Sequence, residues 1–191
     1  MADGYHHENL RQSLIDAGIK IINKEGEENL SLRKVAAACN VSHAAPYAHF
    51  ENKEALIAAI KDDVIGRFMS KLEAATAESA TADEAIVAMG SAYVSFFSKK
   101  PDYFAFVFGD QNISAHLKPG KEREDDFAPF LMLRRLYLAH LEEKGLERTS
   151  EEQEIELIRI WSMIHGMASI ACMKGVKTSF SWNDPEGRLI F

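Results

Sequence analysis

Between Ser31 and Lys53 the chain gathers side chains suited to holding an anion. Arg33, Lys34 and Lys53 supply three cations against the single carboxylate of Glu51, in a chain whose formal net charge is −7. His43 and His49 lie in the same stretch and can donate hydrogen bonds, or carry partial charge below neutrality. A small positive face on an acidic body suits a site that meets phosphate locally rather than over the whole surface. Catalytic patterns are missing. No P-loop, GxGxxG, GxSxG, HExxH or paired CxxC occurs. Glu151, Glu152, Glu154 and Glu156 read as a solvated helix start. His6 and His7 sit at the terminus. His140 with Glu143 is a lone pair at helical spacing, and a di-iron bundle would need Glu-x-x-His motifs that are absent. No enzyme, cofactor or metal is expected.

The elements that must position these side chains are helical throughout. Leu10, Leu14, Ala17, Ile21 and Ile22 mark the inner side of a first helix from about Glu8 to Lys24, ended by Gly26. Ser31 is the expected N-cap of a short helix ending near Cys39. Asn40-Val41 makes a tight turn, and Ser42 caps a second short helix to about Phe50. Two such helices on a three- or four-residue turn cross steeply. Ala36 is small enough for the crossing. Leu32, Val35, Cys39, Val41, Tyr47 and Phe50 can face each other across it. Asn40 tolerates the positive φ that the turn needs. Pro46 lies just past the first turn of the second helix, costs one helix bond, and predicts a tightened turn. Asn52 caps a long helix from Lys53 to about Ala75, where Leu56, Ile60, Val64, Phe68 and Leu72 form one stripe.

The run Leu32-Arg33-Lys34-Val35-Ala36-Ala37, then Val41-Ser42, then Tyr47-Ala48-His49-Phe50, then Lys53-Glu54-Ala55-Leu56 resembles the N-terminal DNA-binding domain of TetR-family transcriptional regulators. The resemblance covers roughly residues 10 to 60. It departs at Asn40, where the family usually has Gly, and at Pro46, where Leu or Ile is common. It implies that His43, Ala44 and Ala45 face base edges, with His43 the candidate for a polar base contact. It implies that Tyr47 and His49 bond phosphates, joined near helix starts by Ser31, Arg33, Ser42 and Lys53.

The second half reads as longer helices: Thr81 or Asp83 to about Ser98, an aromatic segment from Pro101 to Phe108, and about Pro129 to Lys144. The last of the set runs to about Lys174 behind a capping box, Ser150-Glu151-Glu152-Gln153. Gly109 to Asp126 reads as a loop, and Asp184-Pro185-Glu186 as a further helix start. Met89, Tyr93, Phe96, Phe97, Tyr103, Phe104, Phe108, Phe130, Met163, His165 and Met167 are the candidates for an apolar ligand pocket. For any one of these residues, however, the core of a helical bundle is the first reading and the pocket the second. Trp161 and His165 share a helix face. With Gly166 they resemble the pattern of the WHG-type C-terminal domain found in a TetR subgroup. Ile158, Ile160, Trp161, Ile164, Met167, Ile170 and Ala171 spread apolar surface over two sides of one helix, which predicts burial on two sides. In the family, the last two long helices form the dimer interface.

The expected architecture is therefore all-α. Residues 1–52 form a three-helix helix-turn-helix DNA-binding domain. A long helix joins it to residues 53–191, a helical bundle for ligand binding and dimerisation. At 191 residues and 47% hydrophobic content the chain can bury a core. No apolar run approaches the roughly 20 residues of a membrane span, and the N-terminus lacks signal-peptide character. Cys39 and Cys172 do not suggest a disulfide framework. A cytoplasmic homodimer is expected, whose partners are a double-stranded DNA operator and a small-molecule effector, with no membrane. The expected role is a repressor released by a small apolar or aromatic effector. The alternative is a helical ligand-binding or scaffold protein that keeps the fold without controlling a promoter.

Overall fold

The four-residue apolar spacing from Leu56 to Leu72 is realised as a continuous helix in the computed structural model, and all five stripe residues are at most 1% exposed. The structure describes residues 3–109, 113–118, 120, 121, 123 and 125–182. Among these there are only helices, turns and coil. The helices are α1 (Asp3–Glu25), α2 (Leu32–Ala38), α3 (Lys53–Thr76), α4 (Ala82–Lys99), α5 (Pro101–Phe108), α6 (Ala128–Lys144) and α7 (Ser150–Cys172), with 3-10 turns at Glu27–Asn29 and Ala45–Ala48. The helix start expected at Asp184 lies outside the described residues. The chain divides into two compact units, Met1–Gly66 and Arg67–Phe191, so the division falls inside α3.

In the first unit α1 buries Leu14, Ile15, Ala17, Ile19 and Ile22, while Leu10 and Ile21 are half-buried. It begins at Asp3, five residues before the start near Glu8 that the apolar stripe predicted. A Cβ on Gly18 would stand 2.5 Å from Ile60 Cδ1, so a larger residue there would need the end of that side chain to shift. Ser31 Oγ accepts the Lys34 amide and caps α2. Ala36, at the crossing, is fully buried. Asn40 takes φ 54°, the left-handed turn for which glycine or asparagine is suited.

The second short helix differs from expectation. Residues 45–48 form a 3-10 turn, not an α-helix from Ser42 to Phe50, and no side chain caps it. Pro46 has no N–H to give the Ser42 carbonyl, so the Ala45 amide takes that carbonyl at 3.0 Å instead. The three-residue spacing then continues from Tyr47 to Ala44 and from His49 to Pro46. Tyr47 is 57% exposed and takes no part in the crossing, whereas Pro46 and Phe50 are buried beneath the turn.

In the second unit α4 is the central helix and packs along α5, α6 and α7. Thr81 caps it, and Glu143 from α6 reaches its first amide, Ala82 N–H, at 3.0 Å. His140 bonds Asp83 in the same turn. The lone His140/Glu143 pair thus serves a helix start. The capping box of α7 is one residue earlier than expected: Thr149 and Glu152 cap each other, not Ser150 and Gln153. The double burial expected for α7 is not met within one chain. Its most apolar window has mean hydropathy 1.2 yet is only 17% buried, through Leu157, Ile164 and Ala168.

Candidate functional site

The expected phosphate and base contacts fall on one short stretch of surface in the first unit. Ser42, His43 and Ala44 are exposed, Ala45 is half-buried, and Tyr47 stands out beside them. Beneath them, Pro46 and Phe50 anchor the turn in the core. The short 3-10 turn therefore presents its leading side chains from a fixed footing. Arg33 projects from the exposed side of α2, and Ser31, having used a lone pair as cap, keeps an O–H to donate. His49 is half-buried against the Phe50 ring, 6.3 Å between centroids.

Lys53 is placed differently from a solvated phosphate contact. Its Nζ donates to the carbonyls of Glu27 and Glu28, at 3.1 and 3.4 Å, and ties the start of α3 to the turn after α1. Lys34 is paired with Glu25 at 2.9 Å. A further cation was not legible in the 31–53 segment. Arg11 of α1 lies over the Phe50 ring, 5.4 Å from its centroid, beside the residue that closes the Ala45–Ala48 turn. No local sequence signal links it to that turn.

In the second unit the candidate pocket residues come together as a packed aromatic cluster. Phe68 of α3 meets Tyr93, Phe96 and Phe97 at 4.9, 4.9 and 4.8 Å. Phe104 and Phe108 add to Phe97 at 5.3 and 5.5 Å, and Tyr103 adds to Phe96. Met89, Tyr93 and Phe97 are fully buried. Met163 instead lines a separate groove of about 630 Å3, and Phe130 a cavity of about 160 Å3. Met167 is half-buried on α7. Trp161 and His165 do share a face, with ring planes 13° apart. Among the described residues, the helix's own nearby backbone aside, nothing comes within 4 Å of a Cβ built on Gly166.

His165 is held by a polar contact of its Nδ1 with the Tyr93 hydroxyl at 2.9 Å. Burial pushes the Tyr93 phenol well above its ordinary pKa, so it stays protonated and donates. Burial also lowers the imidazole below its ordinary value, which leaves Nδ1 as acceptor in a neutral ring. A ring whose folded-state pKa is depressed contributes its full stability above the unfolded value of about 6.5. That contribution is lost as pH falls through the folded value. Melting temperature is therefore expected to drop on acidification below about pH 6.5, and His165→Gln to flatten that limb. An unchanged limb in the variant would place the sensitivity elsewhere.

A reading turn with exposed edge side chains, set on buried Pro46 and Phe50, and followed by an all-helical unit, defines a helix-turn-helix protein with a helical body. Residues 14–60 match the family model described as bacterial regulatory proteins, tetR family. The family match holds for that N-terminal segment. It is 26% identical over 101 residues to a fatty acid metabolism regulator protein of Bacillus subtilis (strain 168), covering 53% of this chain and 47% of that one. It is 36% identical over 62 residues to an HTH-type nicotine-responsive transcriptional repressor of Paenarthrobacter nicotinovorans, 32% of each chain. These matches span about half or less of the curated relatives. Among solved structures, a protein of unknown function from Rhodococcus sp. RHA1 superposes with TM-score 0.71 at 26% identity, covering 88% of this chain and 87% of that one.

Proposed function

We propose that the protein is a ligand-responsive transcriptional repressor, a homodimer that binds a palindromic operator and is released by a small apolar or aromatic effector. The observation that carries this is the exposed edge Ser42-His43-Ala44 with Tyr47 beside it, above buried Pro46 and Phe50. Side chains so placed reach base edges and phosphates without unfolding anything. The homodimer is supported by α7 and the chain after it, where Ile155, Ile170, Met173 and Val176 are each 41–51% exposed. Apolar surface of this kind on a long helix favours burial against a second copy. Two copies then offer two reading turns to half-sites one helical turn or a multiple apart.

Release requires an effector that prefers a conformer with mis-spaced reading turns, by a coupling of about 1–3 kcal/mol in typical cases. α3 runs through both units of the chain and is the candidate element for that coupling. Phe68 on α3 touches Tyr93, which touches Trp161 and His165 of α7. The names of the relatives point to fatty acid metabolism in one case and nicotine in the other. Both are in keeping with an organic effector of largely apolar character.

The test is selection of genomic fragments from the source organism, followed by gel shifts across a salt series. Arg33→Ala is expected to weaken binding to every fragment and to reduce the salt slope by about 1. His43→Ala is expected to alter which fragment is preferred. Equal losses on selected and random DNA for His43→Ala would count against base readout. A chain that shifts no fragment at any salt would be the helical ligand-binding or scaffold protein instead.

A further inference from the structure

The aromatic cluster is packed solid, but a smaller cavity lies beside it. It has a volume of about 160 Å3 and is lined by Ile113, Ala115, Leu117, Phe127, Phe130, Ile158, Trp161 and Ser162. Its roof is the extended strap 113–117 between α5 and α6. Along the strap, side chains alternate as extended backbone dictates. Ile113, Ala115 and Leu117 line the cavity, while Ser114 and His116 turn to Asp126.

The strap is built rather than draped. Asp126 is 5% exposed and accepts from Ser114 Oγ at 3.3 Å, the His116 amide at 3.1 Å, the His116 ring at 2.6 Å and the Arg123 amide at 2.9 Å. Burial alone would raise that carboxyl. The His116 ring and the Arg123 and His116 amides outweigh it, and the group titrates below its ordinary value. From α6, Arg134, 2% exposed, donates to the carbonyls of His116 and Leu117 at 2.8 and 2.7 Å. Two buried charges thus hold three apolar side chains over an apolar space. Charges are costly to bury, and this arrangement keeps the roof from collapsing onto the floor.

The walls say what fits. Phe127 and Phe130 stand edge-on to the Trp161 indole, at 5.8 Å and 89° and at 5.6 Å and 76°. Among the described residues no charged side chain lines the space, and the polar side-chain groups there are the Ser162 hydroxyl and the indole N–H. An ion entering would lose its hydration without a partner. An apolar space of about 150 Å3 is large enough to admit a benzene-sized guest.

We propose that this cavity binds an uncharged monocyclic aromatic molecule carrying at most one small polar substituent. A long acyl chain or a fused or linked ring pair exceeds the space. As an effector site this rests on the sensor reading above, and it names that sensor's ligand class. Trp161 is the connection, since its other contacts are Tyr93 at 5.6 Å and His165 at 6.1 Å, within the cluster that holds Phe68 of α3.

The chain has two tryptophans, so Trp182→Phe in the full chain leaves Trp161 as the single emitter. Iodobenzene, a heavy-atom quencher of the proposed shape, is titrated against its fluorescence, with 4-iodobenzoate as the charged counterpart. Saturable quenching by iodobenzene is expected, with Kd on the order of 1 mM or tighter, and only linear collisional quenching by the benzoate. Ser162→Leu, at an exposed position of α7, fills the cavity mouth and is expected to weaken the saturable phase about tenfold or more. Ala115→Leu fills it from the roof should the first variant fold poorly. Linear quenching by iodobenzene, alike in the parent and the filled variant, would overturn the cavity proposal whatever the protein does on DNA. Saturable quenching without any change in affinity for a selected DNA fragment would leave the binding site standing and overturn its role in regulation.

Discussion

Phe68→Ala is expected to cost about 3–5 kcal/mol of stability, the range for removing a buried aromatic ring from a packed core. The ring is 1% exposed and meets Tyr93, Phe96 and Phe97 within 4.9 Å. Those neighbours come from α4, whose backbone cannot move in without breaking its contacts to α6 and α7, so the space cannot close cheaply. The measurement is urea unfolding followed by near-ultraviolet circular dichroism, which reports the aromatic cluster. The midpoint should fall with little change in slope. The first unit lacks this cluster and should keep its own transition. A loss below about 1 kcal/mol would mean that the cluster has slack. In that case the pocket reading of Tyr93, Phe97 and Phe104 would displace the core reading.

The contrast between pocket and core shows what was legible in the residues. Aromatic content and helical spacing place Tyr93, Phe96, Phe97 and Phe104 on inward faces, but they do not say whether the rings touch or stand apart. That depends on the distance between α4, α5 and α7, which no local pattern encodes. The head was more readable because its constraints are local. Asn40 sits where a short turn demands a positive φ, and it adopts 54°. Ala36 sits where two backbones meet, and it is fully buried. Pro46 signalled a tightened turn, though its effect runs through the whole segment rather than one bond. Around α7, two overlapping capping frames, Thr149 to Glu152 and Ser150 to Gln153, satisfy the same pattern. Only the entry angle of the chain chooses between them.

Long-range polar pairs were not readable at all. Asp126 and Arg134 hold the strap through partners 10 to 18 residues away along an irregular loop, where no periodicity links donor to acceptor. Arg11 over Phe50 is missed for the same reason. The exposed face of α7 is a different case. Its composition announces burial, but composition does not name the covering surface, and one chain leaves that surface open.

Ala44→Glu is expected to abolish measurable operator binding while leaving the fold intact. Ala44 is exposed on the reading turn between the Ser42 carbonyl and the Ala45–Ala48 segment. A side chain there has space and loses no packing, so stability should change by no more than about 0.5 kcal/mol. On DNA the same atom would stand at the groove, where the carboxylate meets phosphate charge without a compensating cation. The loss should be about 100-fold or more on every fragment, since repulsion from the backbone is independent of sequence. Ala44→Gln, of the same size but uncharged, separates bulk from charge. If charge dominates, Gln should recover much of the affinity, and the deficit of Glu should shrink as salt rises. Fluorescence anisotropy on a selected fragment reads all three proteins. Equal affinity of Ala44→Glu and the parent across the salt series would mean that this edge does not meet a duplex, and the repressor reading would fall with it.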